Sequence, residues 1–221
     1  MAIGRTFASR AARRSAAPTA KRARPPPALG AELGHLIEPY NEQGEMGIFG
    51  HCKAWGGSTL AVGQLRRATD FTVPLFRAEA QDLYLKLGVA LASNDADNLR
   101  KLATPSQYAQ LVQSLESRSP SEVHTYEASN VVAHIRQVRL GHAASAPELK
   151  FAQVTAAISA SVIWRVCDAA GEITGGLGAD DPPYEIKHDL WVFESCTTET
   201  PALGWRLKAR LGLEKQSEEK S

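Results

Sequence analysis

The chain has 221 residues, 43% apolar and 22% charged, with a formal net charge of +1. That balance supports a packed core and excludes wholesale disorder, while no run approaches the ~20 apolar residues a membrane-spanning helix needs. Three cysteines (Cys52, Cys167, Cys196) form no CxxC pair, which argues against a structural zinc site, and no metal or cofactor is expected.

The near-neutral total hides an asymmetry. Residues 1–31 carry seven basic side chains and no acid, whereas the other 190 carry 18 basic and 24 acidic ones, a net of −6. An acid-free start rich in Arg, Ala and Ser has the composition of an organelle-targeting segment, here residues 1–27. As a helix it would place Ile3, Phe7 and Ala11 on one face, with Arg10, Arg13 and Arg14 largely off it. Pro25, Pro26 and Pro27 then break the chain.

Residues 28–70 show no sustained period. Glycines punctuate the segment, and Tyr40, Phe49 and Trp55 are isolated aromatic anchors. Such a stretch reads as an extended Gly-rich arm that gains order on a partner. Within it Lys53 beside Trp55, and the pair Arg66–Arg67, are candidates for contact with RNA or a neighbouring protein; Arg22 and Arg24 are better ones if the N-terminus is retained. The alternative for each is a solvated surface charge.

From Thr72 the pattern turns helical. Pro74 suits a first turn, and Phe76, Ala80, Leu83, Leu87 and Leu91 form one stripe. Ser93, Asn94 and Asp95 stop it, and residues 96–102 fit a short helix. Thr104-Pro105-Ser106-Gln107 predicts another start, with Thr104 as cap and Gln107 completing a capping box. After Pro120 the period becomes two. In the longest strand, residues 152–166, alternate positions from Ala152 through Ile158 to Trp164 and Val166 share a face. A Gly- and Asp-rich hairpin connection over 168–183 leads to a strand at 184–196. A final strand over 205–213 follows, then a charged tail at 214–221. About fifteen residues is long for a strand, so a strong twist or a bulge is expected.

Helices first and strands afterwards predict an α+β fold: N-terminal helices on a strongly curved antiparallel sheet of about four strands. On the last strand Arg206, Lys208 and Arg210 alternate with Leu207, Ala209 and Leu211. They read as the wet face of an amphipathic strand or as a basic stripe facing RNA or a membrane surface. Enzymatic chemistry would fall to Tyr126, His134, His188 and Asp189, but His188 and Asp189 are strand neighbours that point to opposite faces. No catalytic residue is assigned.

The stretch 71–104, FTVPLFRAEAQDLYLKLGVALASNDADNLRKLAT, and the closing pair DLWVFES (189–195) and PALGWRLKARL (201–211) carry a resemblance. In that order they resemble the Tim44-like domain family, and within it the branch of mitochondrial large-subunit ribosomal protein forty-five, over roughly 71–213. The resemblance implies a cone-shaped α+β fold of the nuclear-transport-factor-two-like group and a non-enzymatic role in the mitochondrial matrix, associated with the inner membrane. For the ribosomal branch it implies a structural component of the mitochondrial large ribosomal subunit near the polypeptide exit, holding the ribosome to the inner membrane for co-translational insertion. The implied partners are ribosomal RNA, neighbouring ribosomal proteins, the membrane or its insertase and the nascent chain, with no small-molecule substrate. Translocase members of the family instead imply an import-motor adaptor with a charged, coiled-coil-like segment before the domain; the Gly-rich segment here, short of heptads, departs from that pattern. The net of −6 beyond residue 31 argues against extensive RNA contact by the folded domain. A small pocket enzyme on the same cone is the remaining alternative.

Overall fold

The computed structural model describes residues 32–38, 48–143, 146–176, 185–198 and 204–211, with side chains omitted at 48–55 and 185–188. The targeting-like segment, Arg22, Arg24, the proline run, Tyr40 and the charged tail lie outside the described residues. Among the described residues four helices precede five strands: α1 (Ile48–Ala68), α2 (Val73–Ala92), α3 (Ala96–Leu102), α4 (Pro105–Glu116), β1 (Val123–Ala143), β2 (Ala146–Cys167), β3 (Ile173–Gly176), β4 (Glu185–Cys196) and β5 (Arg206–Leu211). The sheet is antiparallel in the order β1-β2-β4-β5, and the short β3 pairs with β2. The α+β architecture expected from the sequence is the one observed. The extra strand is β3, whose Gly175 and Gly176 were expected in a loop.

The helical stripe of α2 is buried along Phe76, Ala80, Leu83 and Leu87. Thr72 caps it, its Oγ1 accepting the Leu75 N–H at 3.2 Å. Opposite lie the apolar positions of β2, from Ala152 through Val162, all buried. Phe71, Phe76, Phe193 and Trp205 join these layers, with ring centroids 4.9–6.0 Å apart. Fully burying one such ring is worth roughly 1.5–3 kcal/mol.

The β1–β2 ladder carries three register shifts, between Ser129 and Val132, Ile135 and Gln137, and His142 and Ala143. Each disturbs the ladder and bends it, which lets strands of 21 and 22 residues curve around the helices. Asn130, at the first shift, has φ +52°, a left-handed conformation that Asn adopts more readily than most residues.

Two expectations fail. Residues 48–68 are helical rather than an extended arm. Ala61 and Leu65 of α1 are buried in the main core, and Ser58 Oγ receives the Val138 N–H at 3.3 Å and Arg139 Nη1 at 3.1 Å. Long-range docking on β1 thus orders a sequence whose Gly56, Gly57 and Gly63 weaken intrinsic helix propensity. The capping box before α4 also does not form. Thr104 makes no side-chain cap bond; its backbone N–H donates to Leu207 O at 2.8 Å, and Gln107 is buried. Bridging to β5 takes the place of local capping.

Candidate functional site

The sheet has two differently occupied faces. On the convex face, away from the helices, residues 32–38 lie across β1, β2, β4 and β5 as a strap. Leu33 packs with Ala143, Phe151 and Cys196, and Ile37 joins them. Gly141 leaves the space Ile37 uses, since a Cβ there would lie 2.6 Å from Ile37 Cδ1. Polar side chains of the strands hold the strap backbone. Glu194 Oε1 accepts the Leu33 N–H at 3.0 Å. Gln153 accepts the Ile37 N–H at 2.8 Å and donates to His35 O at 2.9 Å and to Glu194 Oε2 at 2.8 Å. Lys208 Nζ donates to Leu33 O at 2.5 Å and reaches Glu32 Oε2 at 3.3 Å and Ser106 Oγ at 3.4 Å. Arg139 Nε binds Glu38 Oε2 at 3.2 Å.

Burial dominates the Glu194 carboxyl and pushes its pKa up, against the Gln153 bond and the Lys208 charge. At Glu32 partial burial also opposes ionisation, but donation from Ser106 and the charge and hydrogen bond of Lys208 outweigh it and hold the carboxyl below its ordinary value. Two carboxylates in one clamp are therefore shifted in opposite directions.

These contacts correct the basic-stripe expectation. Arg206 and Lys208 are buried, 4% and 6% exposed, rather than set out on a wet or basic surface. Arg210 is exposed but lies on the other face. Phe193 pairs with Leu207 and Val192 with Ala209, so Lys208 is a surplus residue in a bulge. Past the bulge the alternation inverts, and Arg210 pairs with Trp191 on the concave side.

There a cleft of about 310 Å³ opens between α2, α4 and the sheet. Its wall includes Tyr84, Arg118, Tyr126, Trp164, Asp189, Trp191 and Arg210. Tyr84 and Trp191 rings are 4.8 Å apart, Tyr126 and Trp164 5.7 Å. The Arg118 guanidinium lies 5.6 Å over Trp164 and that of Arg210 5.5 Å over Trp191. Arg210 Nη2 is 3.8 Å from Asp189 Oδ1. Burial raises the pKa of both tyrosines, so they are neutral donors at physiological pH.

Of the proposed acid–base set, Tyr126 and Asp189 meet in this cleft. His134 is exposed elsewhere, and the side chain of His188 lies outside the described residues. No histidine lines the cleft among the described residues. Sequence reading missed Tyr84, Arg118, Trp164, Trp191 and Arg210 as cleft residues; the alternate aromatics of β2 and β4 were the available signal. Of the contact candidates, Arg66 and Arg67 are exposed in the last turn of α1, where cations also complement the helix dipole. Lys53 and Trp55 lie on α1, with side chains outside the described residues. Among the described residues no helix is long and apolar enough to cross a membrane, and no cluster of His, Cys, Asp or Glu has the makings of a metal site.

A curved antiparallel sheet strapped on its convex side, with helices enclosing a concave cleft, defines an α+β cone-type scaffold. The family model of the Tim44-like domain matches residues 62–211, and the chain belongs to that family. The match begins inside α1, nine residues before the expected domain start at 71. Membership associates the chain with mitochondria and their inner membrane. No curated protein matches the chain. Among solved structures, the intermembrane space region of the chloroplast protein ARC6 is similar at 12% identity, over 60% of this chain and 92% of that one, with a TM-score of 0.38.

Proposed function

We propose that the chain is a structural component of the mitochondrial large ribosomal subunit near the polypeptide exit, mooring the ribosome to the inner membrane on the matrix side. The family match over 62–211 carries this reading. The ribosomal branch is favoured by the Gly-rich segment before the domain, which is short of the heptads of a charged, coiled-coil-like segment. The architecture suits a scaffold: Glu194 and Lys208 of the closing motifs are buried in the contacts that bind the strap, and Arg206 is buried with its charge acting on Glu194, so these charges serve the fold. Contact with ribosomal RNA or proteins then falls to Arg66 and Arg67 at the exposed end of α1, and to the basic N-terminal residues including Arg22 and Arg24. Each phosphate neutralised there would add to a salt-dependent attachment.

An import-motor adaptor at the inner membrane is the second reading, and the same family match supports it. Sedimentation of a tagged chain from lysed mitochondria separates the two. Co-sedimentation with the large subunit at low salt, weakened by Arg66→Glu with Arg67→Glu, is the expected result. Absence from that fraction, with comigration on a translocase complex, rejects the ribosomal reading.

A further inference from the structure

Helix α2 is apolar on two opposite sides. Its inner stripe, through Phe76, Ala80, Leu83 and Leu87, is buried in the core. At about 100° per residue, Leu75, Ala78, Asp82, Leu85, Val89 and Ala92 form a second stripe diametrically opposite the first. Leu75 is 48% exposed, Leu85 36% and Val89 55%, so three of the seven large apolar side chains left exposed among the described residues lie on this one stripe. Exposed apolar residues scattered singly are ordinary, whereas aligned ones mark a contact surface. Their steps of three and four are those of a heptad seam, with Leu75, Asp82 and Val89 at one core position and Ala78, Leu85 and Ala92 at the other. The seam is not built for lipid. Along it stand Glu79, Asp82 and one cation, Lys86, which Asp82 holds at 2.6 Å, and it carries no aromatic ring. A helix that lies on a membrane is instead rich in Lys and Arg on its polar side.

We propose that this face of α2 pairs with the same face of a second copy of the chain, the two helices running antiparallel about a two-fold axis between Leu83 and Tyr84. In that register every seam position is used. Leu75 meets Ala92 of the second copy, Ala78 meets Val89 and Asp82 meets Leu85, each contact occurring twice by symmetry. Glu79 and Lys86 occupy the same flanking position one heptad apart, so antiparallel pairing sets each Glu79 beside Lys86 of the second copy. The stripe is thus its own complement: larger side chains meet smaller ones at its ends, and acid meets base along its edge. A parallel pair would instead bring the two Asp82 carboxylates face to face. Asp82 in the seam weakens the contact and fixes its register, as a single polar core residue does in a coiled coil. The seam is about 25 Å long. It is short of the roughly 800 Å² per partner of a standard interface, so the association is weak, in the micromolar range. The pairing goes beyond the mooring role and does not depend on it, since no seam residue is among the contacts proposed above.

The test is sedimentation velocity of the full chain from about 1 to 300 µM, where a reversible monomer–dimer equilibrium is expected. Leu85→Glu should abolish the dimer in that range. Glu79→Lys and Lys86→Glu each set like charges together in their own dimers and should weaken association about fivefold or more. An equimolar mixture of these two variants restores opposite charges at both symmetry-related contacts and should return to within about twofold of wild type. Glu79 and Leu85 are exposed and the Lys86 side chain is 59% exposed, so the substitutions leave the core untouched. A monomer throughout the range, a dimer indifferent to Leu85→Glu, or a mixture no tighter than the variants alone would each overturn the proposal. So would vesicles of phosphatidylcholine and phosphatidylglycerol that retain wild type but not Leu85→Glu, which would give the stripe to a lipid surface.

Discussion

Replacing Lys208 by Met removes the cation from the strap clamp while keeping an unbranched side chain of similar reach. Three contacts go with it: Leu33 O at 2.5 Å, Glu32 Oε2 at 3.3 Å and Ser106 Oγ at 3.4 Å. The carboxylate of Glu194, wholly buried, also loses a neighbouring positive charge, with Arg206 left to face it. Removing one member of a buried ionic group costs about 3–5 kcal/mol. The apolar Met side chain recovers part of this by burying its methylenes, roughly 0.8 kcal/mol each. The expected net loss is therefore about 2–4 kcal/mol, read from the urea midpoint with the m-value checked for constancy. The loss should be local in origin: amide exchange at 33 and 37 should accelerate more than that of the β2 core. Adding Glu194→Gln should cost less than the sum of the two single changes, with coupling of about 1 kcal/mol or more. A Lys208→Met loss below about 1 kcal/mol, with strap amides as protected as before, would refute the clamp as described.

The remaining predictions are simpler. The Glu194 pKa is raised by burial, so its contribution is fully present below the unfolded value and is lost as pH rises through the folded one. Glu32, with a lowered pKa, contributes above its unfolded value and loses that contribution as pH falls through the folded one. Urea unfolding of wild type and Glu194→Gln across pH 4–8 should therefore show wild type gaining relative to the variant toward the acid end, a gain that parallel curves would exclude. Leu65→Ala should cost about 2–4 kcal/mol in urea unfolding, as for a core leucine; a near-neutral effect would return α1 to the status of a separate arm. Gly88→Ala should destabilise despite about 1 kcal/mol of gained helix propensity, because it displaces a Tyr126 ring bonded to Tyr84 and packed on Trp164; near-UV circular dichroism should show the aromatic rearrangement.

Much of the fold was legible because its signals are local. The stripe from Phe76 to Leu91, the stop at Ser93-Asn94-Asp95 and the alternation along β2 are periodic, and each element obeys its period. What escaped reading depends on distant partners. Helix α1 is ordered by docking Ala61 and Leu65 into the core and Ser58 onto β1, which overrides its glycines. The strap has no periodicity because its bonds come from Gln153, Glu194 and Lys208, more than a hundred residues away. The cleft was half visible: Tyr126 and Asp189 were flagged, but for acid–base chemistry. Arg210 was assigned to the wrong face because strict alternation cannot show a bulge.

That surplus residue has a mechanical consequence. Within three positions β5 grips the strap from one side of the sheet with Lys208 and stacks on an indole on the other side with Arg210. A displacement of the edge strand along its axis tugs both at once. A load on residues 32–38 is thereby transmitted to the mouth of the cleft across a single strand.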